Sequence, residues 1–107
     1  MKENITIDLN ALKRLNESAA LISFGAKLKR MLYYMFAPSG LSYARFYLKG
    51  GRSDIKALVG VLASEKQYME SFLKNGLNDP MVLNNRYRLE RAIKHFESET
   101  GIKWPLK

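Results

Sequence analysis

Apolar residues recur along most of this chain at intervals of three and four, the spacing of a helix with one buried face. Leu9, Leu12, Leu15 and Ala19 open the pattern, with Thr6 or Asp8 as the capping residue before it. Residues 18–36 carry it most strongly. Projected at about 100° per residue, Leu21, Phe24, Leu28, Met31, Leu32, Met35 and Phe36 share one broad face. Ser23, Lys27, Arg30 and Tyr34 line the other. Gly25 falls in the apolar sector, where a missing side chain lets another helix come close. The pattern leaves open whether these first two segments are one bent helix or two. Ala37-Pro38-Ser39-Gly40 ends the run, since proline resists helix continuation and glycine tolerates a turn.

Residues 41–49 fit two descriptions. Tyr43, Phe46 and Tyr47 suit a short helix capped by Ser42, or a short strand, because aromatic residues favour both packed and pleated sites. Gly50-Gly51 closes the segment. From Ser53, a predicted cap, the apolar stripe is Ile55, Leu58, Val59, Leu62, Met69, Phe72 and Leu73. Within it Ser64-Glu65-Lys66-Gln67 matches a capping box, and Glu65 would sit on the apolar face of an unbroken helix. Both features favour two short helices meeting near Ala63-Ser64, with one continuous helix as the alternative. Asn75-Gly76 stops the run, and Asn78-Asp79-Pro80 starts the next, a cap followed by proline at the first helical position. That last helix extends from Pro80 to about Ser98 or Thr100, with Gly101 as its stop and Val82, Leu89, Ala92, Ile93 and Phe96 as its buried stripe. The tail should fold back, because Trp104 and Leu106 give it apolar surface to dock. The expected fold class is all-α: a compact bundle of about four to five helices in one domain, residues 1–107.

Composition narrows the function classes. A hydrophobic fraction of 47% is too high for a disordered chain. The absence of cysteine excludes disulfides, zinc–thiolate sites and thiol catalysis. Residues 1–8 have no signal-peptide core, and Lys27, Lys29 and Arg30 interrupt the most apolar run, so no membrane span is expected and the cytoplasm is the default location.

The formal charge of +8 changes the picture more, through its placement. Residues 1–52 carry nine basic and three acidic side chains, whereas residues 53–107 carry nine and seven. No acid occurs from Ser18 to Ser53, a span that contains Lys27, Lys29, Arg30, Arg45, Lys49 and Arg52 together with Tyr33, Tyr34, Tyr43 and Tyr47. Cations neutralise phosphates and exposed rings stack on unpaired bases. Buried tyrosines and an ordinary solvated face are the plainer account, favoured for the rings but not for the cations. On the last helix Asn84, Arg88, Arg91 and His95 share a narrow sector away from the buried stripe. Glu90 and Glu97 lie on another flank, beside Arg86 and Lys94. Arg and Asn are residues that read guanine and adenine edges.

Catalysis is not expected. His95 and Glu99, one turn apart, are too few for a metal site, and no nucleophile elbow, phosphate-cradling glycine loop or paired-histidine motif occurs. Gly50-Gly51-Arg52-Ser53 lacks P-loop spacing and is followed by Asp54, so it reads as an ordinary loop. No cofactor, metal or small-molecule substrate is expected.

The leading expectation is a basic nucleic-acid-binding or regulatory protein, with DNA ahead of RNA. Lys27, Lys29, Arg30, Tyr34, Arg45, Lys49 and Arg52 would form one surface and Arg88 and Arg91 a second. If residues 53–75 form two helices, they and the last helix could form a tri-helical DNA-binding arrangement, but the turn at Ala63-Ser64 lacks the usual glycine, and Glu65 and Glu70 would repel phosphate. The alternative is a protein-interaction module (adaptor, inhibitor or accessory subunit) acting through the apolar face of residues 21–36, as a homodimer or docked on a partner, with Met31 and Met35 as adaptable contacts. A third reading, membrane-surface attachment by the basic amphipathic helix, is weaker, because a domain of this size needs its largest apolar stripe inside.

Overall fold

The computed structural model describes residues 2–15, 18–36, 43–76 and 78–106. The chain begins with strand β1 (Lys2–Asp8), followed by helices α1 (Leu9–Leu15) and α2 (Ser18–Phe36), strand β2 (Tyr43–Lys49), and helices α3 (Arg52–Asn75) and α4 (Pro80–Thr100). Four helices dominate, as the apolar spacing predicts, and the sheet is a minor element. The breaker at residues 37–40 and the Ser42 cap lie outside the described residues.

β1 is an element that the helical pattern overlooks. Ile5-Thr6-Ile7 is a β-branched run, stiff at the first side-chain torsion and suited to a pleated surface. Its alternation puts Ile5 and Ile7 in the core and leaves Asn4 and Thr6 exposed. β1 pairs in parallel with β2, from Lys2 opposite Tyr43 to Asp8 opposite Lys49. Parallel strands need a crossover, which α1 and α2 supply. Asp8 ends the strand and caps α1, its Oδ1 accepting the Ala11 N–H at 3.2 Å. Thr6, the other predicted cap, is a strand residue.

The question of one bent helix or two for α1 and α2 falls on residues 16 and 17, which lie outside the described residues. Phe24, Leu28 and Met31 of α2 are buried in one core with Ile5, Ile7 and Leu9. Leu21, Leu32 and Met35 pack against that core and are partly buried. Gly25 admits the C-terminal tail and not a helix: a Cβ there would stand 3.2 Å from Pro105 Cβ.

Residues 52–75 form one helix, not two. Its N-cap is Gly51 rather than Ser53, which falls in the first turn. Asp54 turns inward, is 4% exposed and pairs with Lys13 of α1. The capping-box signal at Ser64 is overridden because α3 packs along α4 as a helical hairpin. Glu65 therefore does sit on the inward side, half-buried and turned toward the Trp104 indole. Burial raises its pKa, and its interaction with Trp104 offsets part of that rise. The indole Nε1 is buried without a well-formed hydrogen bond, so this contact is loose electrostatic compensation.

α4 begins and ends as its caps require: Asp79 accepts the Met81 N–H at 2.8 Å, and Gly101 adopts the left-handed conformation. Thr100 then directs the tail. Its Oγ1 donates to the Phe96 carbonyl at 2.7 Å and accepts the Ile102 N–H at 3.0 Å. Glu97 Oε2 accepts the Trp104 N–H at 2.9 Å. Trp104 thus docks edge-on against Phe24 and Phe96, with ring centroids 6.1 and 5.3 Å away.

Candidate nucleic-acid interface

Strand alternation builds an exposed basic surface. In a strand, successive side chains point to opposite faces. The register puts Ile5 beside Phe46 and Ile7 beside Leu48, on the face toward the core. Asn4 beside Arg45, Thr6 beside Tyr47 and Asp8 beside Lys49 make up the other face. There Asn4, Thr6, Arg45, Tyr47 and Lys49 are all exposed, Tyr47 by 44%. Two cations therefore flank one accessible ring, and neither cation makes an ion pair among the described residues. Asp8 is the acid of this face, with its carboxylate engaged in capping α1. The plain expectation that the tyrosines are packed away fails for Tyr47. Tyr43 opens β2, but its side chain lies outside the described residues.

Arg52 extends this surface. Gly50 turns the chain from β2 into α3 with φ 154°, a conformation that favours glycine, and a Cβ there would lie 3.1 Å from Leu9 Cβ. Arg52 is exposed in the first turn of α3, while Asp54 occupies the same helix end from inside. The Gly50–Gly51 loop is thus a connection, as its sequence suggests.

The cations of α2 do not form one surface. Lys27 is half-buried in a groove with Asp8, Leu12 and Ser23, on the flank toward β1 and α1. Lys29 faces the opposite groove, with Ile22, Pro105 and Leu106. Arg30 is exposed on the Lys27 flank. Tyr34, half-buried there, meets the exposed Tyr33 edge-on at 5.4 Å.

The α4 stripe is exposed as its spacing predicts, with Asn84, Arg88, Arg91 and His95 all at the surface. It is locally engaged: Arg91 lies over the Tyr87 ring at 5.9 Å, and Arg86 on the neighbouring flank pairs with Glu90 at 3.4 Å. No group of acids and histidines able to hold a metal ion occurs among the described residues, and His95 is exposed. No helix among the described residues is long and apolar enough to cross a membrane.

Asn4 and Thr6 are the residues of this sheet face that helical spacing misses, and the signal for them was the Ile5-Thr6-Ile7 alternation. No protein-family model, curated protein or solved structure matches this chain.

Proposed function

We propose that this protein is a non-catalytic, cytoplasmic nucleic-acid-binding protein of regulatory type, with the open face of the sheet as its principal contact. The observation that carries this reading is the alternation of Arg45, Tyr47 and Lys49 on one solvent-facing strand surface. Arg45 and Lys49, about 13 Å apart on such a strand, suit two non-adjacent phosphates, and the ring between them suits an unpaired base. Single strands are therefore the favoured ligand. The expectation of a duplex reader loses its tri-helical support, since α3 is unbroken. Arg52 extends the phosphate contact, and Lys27, Arg30 and Tyr34 lie on one flank of α2 as a further one. Arg88 and Arg91 are a second, sequence-independent contact.

Fluorescence anisotropy with single-stranded DNA, single-stranded RNA and duplex DNA over a series of salt concentrations tests this. The expected result is tighter binding of single strands, with a log–log salt slope of about −0.7 per phosphate contacted. Arg45→Glu and Lys49→Glu should flatten that slope, and Tyr47→Ser should weaken binding without changing it. Absence of binding at low salt, or a complex insensitive to salt, would overturn the proposal.

A further inference from the structure

The other side of β2 carries a different feature. The sheet has two strands, so β2 has one hydrogen-bonded neighbour, and among the described residues its second edge is unpaired. In a strand of seven residues, about 23 Å long, alternate residues direct their N–H and C=O groups toward that edge. Proteins usually cover such an edge or protect it. Beside it runs a groove of about 450 Å³ lined by Met31, Met35, Phe46, Leu48, Val59 and Leu62. No β1 residue lines the groove, which places it on the side of β2 away from β1. Phe46 stays 38% exposed and Val59 47% exposed. Along α3 the apolar surface continues through the exposed Met69 and Leu73 at helical spacing.

We infer that this groove receives an extended, acidic segment of a partner protein, which adds to the edge of β2 as a third strand. The open backbone edge supplies main-chain hydrogen bonds, and the groove takes every second side chain of the incoming strand. Flexible Met31 and Met35 form an adaptable floor. Charge favours an acidic strand: Arg45 and Lys49 lie on β2 itself, while on the α3 wall Lys66 and Glu70 pair with each other. A second copy of this chain fits poorly. Antiparallel pairing of β2 with β2 about Tyr47 would set Arg45 opposite Lys49 twice on one face, and like charges directly opposite are destabilising. Each copy also carries a formal +8. The inference does not depend on nucleic-acid binding: it shares Arg45 and Lys49 with that reading, but the groove lies on the opposite face of the strand from Tyr47.

Three fluorescent peptides of identical Val, Ile and Glu composition test it. One has apolar residues at every second position, one at intervals of three and four, and one in a single block. The alternating peptide should bind about tenfold more tightly than either of the others, a difference worth about 1.4 kcal/mol. On the protein side, Val59→Lys should weaken that peptide about tenfold, while Tyr47→Ser leaves it within about twofold. Val59 is exposed, so the variant should keep its fold, and circular dichroism checks this. In the unsubstituted protein, the alternating peptide should slow amide exchange at residues 45–49. Equal affinity for the three peptides, or preference for the helically spaced one, overturns the inference. So does loss of binding in Tyr47→Ser with Val59→Lys unaffected. Self-association of the free protein that Val59→Lys abolishes would make a second copy the occupant and overturns it as well.

Discussion

The two halves of the molecule carry equal numbers of basic side chains and use them differently. In β2 the cations project from a strand whose alternation sends Arg45 and Lys49 outward together; Asp8, opposite Lys49, caps α1, and neither cation makes an ion pair among the described residues. In the α3–α4 hairpin the helical repeat interleaves cations with acids, so Lys66 meets Glu70 and Arg86 meets Glu90 one turn on, while Arg91 covers Tyr87. The hairpin also uses polar groups internally, where Thr100 and Glu97 hold the returning tail. A basic charge is available to an outside ligand only when its own element has not already satisfied it. Net charge by half hints at this difference, and the elements explain it.

The strongest way to break the hairpin side of the comparison is Trp104→Ala. The indole fills the space between Phe24 and Phe96, and its loss should cost about 3–5 kcal/mol in denaturant unfolding. Unchanged stability would mean that the tail is not part of the core. On the sheet side, Tyr47→Ser should weaken single-strand binding by about 1–3 kcal/mol while stability changes little, because stacking on an exposed ring contributes on that scale. The pair of results separates a surface that binds from a surface that supports the fold.

Lys13→Ala tests the joint between the halves. It strips the buried Asp54 carboxylate of its α1 partner, and thermal melting should report a loss of about 1–2 kcal/mol, reduced by the partial exposure of the lysine. Arg88→Ala and Arg91→Ala should lower nucleic-acid affinity less than Arg45→Ala or Lys49→Ala does. A larger effect on α4 would reverse the ranking of the two surfaces.

The smallest effect concerns Glu65. Burial raises its pKa above the ordinary value of 4.5, so the folded protein holds this proton more tightly than the unfolded chain. Stability is therefore lost as pH rises from 4.5 through the raised folded value, where the carboxylate becomes charged in a half-buried site. Glu65→Gln should be more stable than the parent at pH 7, and the gain should vanish below 4.5 in pH-dependent unfolding. A gain independent of pH would point to packing and not to charge.

Much of the helical frame was legible because its signals are local. A cap bonds two or three residues away, so Asp79-Pro80 and Gly101 announce the ends of α4 directly. The inward stripes of α2 and α4 follow equally from spacing. The α4 cation stripe was legible on the same ground, since one helix fixes the angles among Asn84, Arg88, Arg91 and His95. The α2 cations Lys27 and Lys29, two residues apart, fall about 200° apart on their helix by spacing alone; only the tertiary structure sets α1 and β1 beside the one and the tail beside the other.

By itself the sequence determined the helical class, the ends of α4, the return of the tail and the acid-free basic span, all consequences of contacts between near neighbours or of composition. Tertiary structure decided what β1 and β2 become, because a parallel pair joining Lys2 to Tyr43 gains its hydrogen bonds only after two helices have closed the crossover. It also decided that α3 runs unbroken past Ser64, where packing along α4 outweighs a local capping signal and half-buries Glu65 beside Trp104. The sheet face with Arg45, Tyr47 and Lys49 belongs to this second class. A strand alternates its side chains wherever it forms, but only the pairing with β1 and the packing beneath it select which alternate set meets solvent.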